Sequence, residues 1–198
     1  MTWLVSTLLA VLAAAVILIP VYWIWNRTVF HNWKKTIFYC IFSFYLAAVY
    51  NLVGMPNITY IRFELNLNLI PIVGFIDDLK NSILNVLLFV PLGVMLPILW
   101  RKYREPKAAV LFGFGMSLAI EILKIFTFRA TDINDLITNT LGTILGFAFA
   151  GVLMKKVPAV RDAFNGQKPK ELYLVCAVVF AVMFFVQPFI FSFLWDLI

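Results

Sequence analysis

The sequence predicts an all-α fold, a polytopic transmembrane helical bundle of about six helices. Three observations lead there. The 198 residues are 63% hydrophobic and only 13% charged, with a mean hydropathy of +0.95, too apolar to give a water-soluble domain of this size a polar surface. Apolar runs of roughly 20 residues, the length that spans a hydrocarbon core about 30 Å thick, recur along the chain. These runs are continuously apolar and lack the alternation in about 10-residue segments of a membrane β-barrel, while backbone groups in lipid are satisfied within helices.

Six runs follow in order, at residues 3–25, 36–54, 82–100, 108–128, 133–154 and 172–195, expected to form a single membrane domain over residues 1–198. The first lacks a basic leading segment, is too long for a signal-peptide core and is followed by Arg27, Lys34 and Lys35. It reads as an uncleaved anchor with its N-terminus outside. After the second run, Phe63, Leu65, Leu67 and Leu69 alternate with Glu64, Asn66 and Asn68. This period of two fits an extended segment on the membrane surface; an irregular surface loop is the alternative. The third run begins with Asn81 and Asn85, one turn apart, and contains Pro91 and Pro97, which remove backbone hydrogen bonds and predict a bend. Asn57-Ile-Thr59 matches a glycosylation triplet, a pattern too common by chance to carry weight.

Basic residues concentrate in alternate loops: Arg27, Lys34 and Lys35; then Arg101, Lys102, Arg104 and Lys107; then Lys155, Lys156, Arg161, Lys168 and Lys170. The positive-inside rule places these loops in the cytoplasm and both termini outside. The intervening loops are closer to balance, with Arg62 and Lys80 against Glu64, Asp77 and Asp78, and Arg129 against Asp132. A net charge of +6 therefore signals orientation and contact with anionic membrane lipids, with no nucleic acid as partner. Cys40 and Cys176 lie in apolar runs as small hydrophobes, and no disulfide is expected.

A charged group at midbilayer costs on the order of 2.5–3.5 kcal/mol on insertion scales, so each polar residue in a run asks for a reason. Glu121 and Lys124 are three apart on one face of the fourth run, with Gly113 and Ser117 on the same stripe. In the fifth, Asp132, Asp135, Asn139, Gly142 and Gly146 fall within an arc of about 80°. The glycines allow a neighbouring helix to approach closely and bring its polar groups against this stripe. The predicted topology gathers Asn81, Asn85, Glu121, Lys124, Arg129, Asp132, Asp135 and Asn139 toward the outer face as a shallow polar pocket. Each also has a purely structural explanation: Asp132 as a helix cap, Lys124 and Arg129 as snorkelling cations, Asn85 and Asn139 as interhelical hydrogen bonders. Glu121 and Asp135 are the hardest to explain that way.

The segment Asn85-Val-Leu-Leu-Phe-Val-Pro91-Leu-Gly93, followed by Glu121, Arg129, Asp132, Asp135, Asn139, Gly142 and Gly146, resembles the VanZ-like family. Asn68-Leu-Ile-Pro71 resembles the short motif that commonly precedes this pattern. The resemblance covers residues 66–150, the VanZ-like core, and does not reach the sixth run. It implies a bacterial multi-pass protein of the cell membrane, in a family whose named member gives low-level resistance to teicoplanin, a glycopeptide acting on cell-wall precursors outside the membrane. Many members carry glutamine where this chain has Lys124, so a cation is added at that position.

Three functions compete. In the first, Asn85, Glu121, Lys124, Arg129, Asp132, Asp135 and Asn139 bind or alter an outer-leaflet envelope component, a lipid-linked cell-wall precursor being the candidate partner. The cations would meet phosphate, and the carboxylates and amides would meet amide or hydroxyl groups. The second is an intramembrane lipid-modifying enzyme using Glu121 or Asp135 as acid or base, or the carboxylates as ligands to a divalent cation. Against it, the sequence has no nucleophile paired with a base, no Cys/His metal set and no nucleotide motif, its only histidine is His31, and it points to no cofactor. The third is a small transporter. The catalytic residues, the ligand and the oligomeric state are not specified by the sequence.

Overall fold

Apolar runs in lipid leave their backbone groups no partner but one another, which favours the helix, and the computed structural model is helical almost throughout the residues it describes, 3–68, 70, 79–162 and 168–196. The helices are α1 (Trp3–Trp25), α2 (Trp33–Leu52), α3 (Leu79–Leu99), α4 (Pro106–Lys124), α5 (Ile133–Lys156), the short α6 (Pro158–Asp162), α7 (Pro169–Ala181) and α8 (Gln187–Trp195). Six segments are long and apolar enough to cross a membrane, the last being α7 and α8 taken together. The chain is a multi-pass membrane protein of the predicted class. Asp77, Asp78, Leu69 and Pro71 lie outside the described residues.

The chain divides into two compact units, Met1–Ile61 with Lys170–Ile198, and Arg62–Pro169. In the first, α1 turns its small residues inward: Ala10, Ala13 and Ala14 are fully buried. Leu8, Leu12, Val16 and Ile19, spaced at helical intervals, are exposed, the burial pattern of a helix whose outer face meets lipid. Tyr22 and Ser43 share a hydrogen bond of 2.6 Å between α1 and α2. Glu171 at the start of α7 accepts from Lys35 Nζ at 2.6 Å and from the Tyr39 hydroxyl at 2.5 Å. Cys40 and Cys176 are both free thiols.

The sixth run is interrupted where the sequence gives one continuous span. A π-helical turn, Val182–Val186, separates α7 from α8. Pro188 has no N–H to donate to the carbonyl of residue 184, and the Ile58 N–H occupies that carbonyl instead, at 3.0 Å.

In the second unit α3 and α5 form the most extensive helix pair among the described residues. Their glycines make this contact: a Cβ on Gly142 would lie 2.3 Å from the Val86 carbonyl oxygen, and one on Gly146 would lie 2.1 Å from that of Val90. Gly93 answers from α3, where a Cβ would meet the Thr143 carbonyl oxygen at 2.2 Å. The expected close approach at the glycine stripe is thus present, with α3 as the neighbour. Helix α3 runs unbroken through Pro91 and Pro97.

Two expectations about the loops need adjusting. The fourth helix ends at Lys124 and not near residue 128. Its last turn is closed by the N–H groups of Phe126 and Thr127 bonding to Leu123 and Lys124, and the chain then enters an extended pair. That pair is β1 (Leu67–Asn68) with β2 (Thr131–Asp132), parallel, with Leu67 opposite Thr131 and Asn68 opposite Asp132. The alternating segment is therefore extended at its end, while its earlier part is irregular but tied down by the Arg62 and Glu64 N–H groups, which bond to the Phe126 and Ile125 carbonyls at 3.0 and 2.9 Å.

Candidate functional site

Of the polar groups singled out, Asn85 of α3, Glu121 and Lys124 of α4, Asp135 of α5 and Asp132 just before it enter one hydrogen-bonded assembly within the second unit. Its centre is Lys124. The last turn of α4 places its ammonium 2.9 Å from Glu121 Oε1 and 2.6 Å from Asp135 Oδ2, the latter on the first turn of α5. The other Asp135 oxygen accepts from Asn85 Nδ2 of α3 at 2.6 Å. Three helices are joined by one lysine, two carboxylates and one amide. Glu121 is 3% exposed and Lys124 6%, a burial that unpaired charges would not tolerate.

The β1–β2 pair closes one side of the assembly. The Asp132 N–H donates to Glu121 Oε2 at 3.0 Å, and the Thr131 hydroxyl donates to the Glu121 carbonyl at 2.9 Å. Asp132 also caps α5, accepting from the Asn134 N–H at 2.8 Å, while its second oxygen accepts from Asn68 Nδ2 at 2.9 Å. The capping explanation for Asp132 therefore holds, and the same carboxylate also belongs to the cluster. Asn139, one turn deeper, donates to Ser117 Oγ at 3.0 Å, joining α4 to α5. Its side-chain Oδ1 is buried without a hydrogen-bond partner among the described residues.

Arg129 stands apart. It is exposed in the turn between α4 and β2, and its guanidinium makes no contact with the cluster among the described residues. Arg62 is exposed in the same region and lies over the Phe128 ring, 5.0 Å from its centroid. Asn81 is exposed at the start of α3. Asn68 and Thr131 are members of the cluster that pattern reading did not select. Asn68 carried two signals, its place as a polar member of the alternating segment and its place in Asn68-Leu-Ile-Pro71, and nothing local distinguished Thr131.

With Lys124 neutralising one of two carboxylates, the buried Glu121 and the partly exposed Asp135, and Asp132 adding a third acidic group, the cluster is net-acidic and poor in donors. It suits groups that donate hydrogen bonds, such as amides and hydroxyls. The exposed guanidiniums of Arg62 and Arg129 at the same end are the cations free to meet an anion.

Protein VanZ of Enterococcus faecium is 36% identical to this chain over 108 residues, which make up 54% of this chain and 63% of that protein. The chain thus spans a little under two thirds of that relative's length. No solved structure matches. The VanZ/LLP1 family matches residues 6–154, which takes in α1 and α2 as well as every residue of the cluster and stops short of α7 and α8. A match over that much of the sequence, carried by helices with this buried polar centre, makes the chain a member of the VanZ/LLP1 family.

Proposed function

We propose that this protein binds or alters an envelope component in the outer leaflet and thereby lowers the access of a lipoglycopeptide such as teicoplanin to its target. A lipid-linked cell-wall precursor is the candidate ligand. The observation that carries the reading is the joining of Glu121, Lys124, Asp135 and Asn85 from three helices at one end of the second unit. Intramembrane charges are costly and are kept where they hold a fold together or meet a ligand.

The opposite end of the same unit supports the orientation. There Arg104 donates to the Arg161 carbonyl, drawing together the two basic loops that the positive-inside rule assigns to the cytoplasm. The cluster then faces outward. Lys124 is committed to two carboxylates, so phosphate recognition falls to Arg129 and Arg62, and the acidic cluster meets hydroxyl and amide donors.

The test compares labelled teicoplanin binding and teicoplanin susceptibility in cells making no protein, the parent, Glu121→Gln or Asp135→Asn, with membrane levels measured for each. The reading expects the parent to reduce binding and raise resistance, and the variants at equal levels to lose both effects. Identical binding and susceptibility in cells with and without the parent would overturn it.

A further inference from the structure

The first unit holds a cavity of about 420 Å³ that takes no part in the cluster. That volume falls within the roughly 300–1,000 Å³ typical of small-molecule sites. Its polar wall is formed by Ser6 of α1, Asn51 at the end of α2, Asn57 and Thr59 of the following loop, and Gln187 of α8. Its other wall is the stripe Pro188, Phe191 and Trp195, where the last two rings lie 5.5 Å apart. No described lining residue bears a charged side chain.

The helix break described above makes this cavity. The π-helical turn and Pro188 interrupt the sixth span, and the loop donates its Ile58 N–H to the released carbonyl, which brings Asn57 and Thr59 beside Gln187. The Asn57 carbonyl is held by the Thr59 N–H at 3.0 Å and the Thr59 hydroxyl at 2.7 Å, leaving the Asn57 amide nitrogen uncommitted. Gln187 supplies both a donor and an acceptor to the polar wall. It is 6% exposed, lines the cavity, and its carboxamide has no hydrogen-bond partner among the described residues. A ligand presenting both donors and acceptors would take the place of water on this carboxamide.

We propose that this cavity is a binding site for a neutral, polyhydroxylated ring, a sugar in chemical class. A charged ligand would meet no counter-charge among the described lining residues. A purely apolar one would leave Gln187 unsatisfied. A sugar ring has hydroxyls along its edge for Asn57, Gln187 and Ser6, and an apolar C–H face for Phe191 and Trp195.

Purified full-length protein in detergent is titrated with glucose, galactose and N-acetylglucosamine, and with the charged glucosamine and glucuronate, reading tryptophan fluorescence and equilibrium binding of radiolabelled sugar. At least one neutral sugar should saturate, and the charged pair should bind at least tenfold more weakly. Gln187→Leu, which removes the unpartnered amide, should weaken binding at least tenfold without lowering the unfolding temperature. Ser192→Phe, at an exposed position on the rim, should block the cavity and abolish binding. Glu121→Gln should bind as the parent does, which separates this site from the cluster. No saturable binding of any neutral sugar, or equal binding by the parent and both cavity variants, would overturn the proposal.

Discussion

At Lys124 one ammonium lies within 3 Å of two carboxylates in a site nearly closed to solvent, so removing its charge leaves Glu121 and Asp135 facing each other uncompensated. Breaking a buried pair by deleting one partner costs about 3–5 kcal/mol. Lys124→Gln, which restores the residue many VanZ-like proteins are expected to carry here, should therefore lower the unfolding temperature of the purified protein, measured by thermal denaturation in detergent. Adding Glu121→Gln should recover part of the loss, with a coupling of about 0.5–3 kcal/mol in the double-mutant cycle. An additive result would show that the two side chains do not interact. Among the described residues Asn85 is coupled to the same centre through Asp135, so Asn85→Ala should cost less than Lys124→Gln, on the order of 1 kcal/mol for one hydrogen bond to a partly exposed carboxylate.

At the scale of elements, the α3–α5 contact depends on missing Cβ atoms. Gly146→Ala would force a methyl to 2.1 Å from the Val90 carbonyl oxygen, and overpacking of this kind costs about 1–3 kcal/mol. Gly115 and Gly151 have nothing within 4 Å of a built Cβ, so alanine there should be neutral or stabilising by up to about 1 kcal/mol through helix propensity. Unfolding temperatures of the four single variants Gly142→Ala, Gly146→Ala, Gly115→Ala and Gly151→Ala test this; losses confined to the first pair are expected. The glycine stripe, the six apolar segments and the polar arc of α5 were legible because each is a periodic pattern, and periodicity is a property of one element. The end of α4 was not, since Ile125, Phe126 and Phe128 are as apolar as the helix before them and only the pairing of β1 with β2 draws the chain away. The break before Pro188 escaped for a similar reason. Membrane helices tolerate proline when another group takes the freed carbonyl, and whether Ile58 does so is settled by tertiary contact. The cluster was readable as a list of residues but only in part as a wiring: the spacing of three put Glu121 beside Lys124, whereas the second carboxylate on Lys124, that of Asp135, is set by tertiary contact, and Arg129, read as part of the group, makes no contact with it among the described residues.

For the molecule as a whole, the side of the membrane on which the cluster opens decides between an envelope ligand and a cytoplasmic one. The second unit has two chemically distinct ends. Helix α4 has 19 residues, about 28 Å at 1.5 Å per residue, with Lys102 before its start and Arg129 beyond its finish. The end near Lys102 gathers cations from two loops, as the Arg104 to Arg161 contact shows. Cations flanking spans are retained in the cytoplasm, whereas the end near Arg129 is close to charge balance. In a background with Cys40→Ser and Cys176→Ser, a membrane-impermeant maleimide should label Arg129→Cys in intact cells. Lys102→Cys, also exposed, should react only after permeabilisation. If the pattern is reversed, the buried cluster survives as a structural feature but faces the cytoplasm. An outer-leaflet cell-wall precursor could then not reach it, and the proposed route to glycopeptide resistance would fail on access alone.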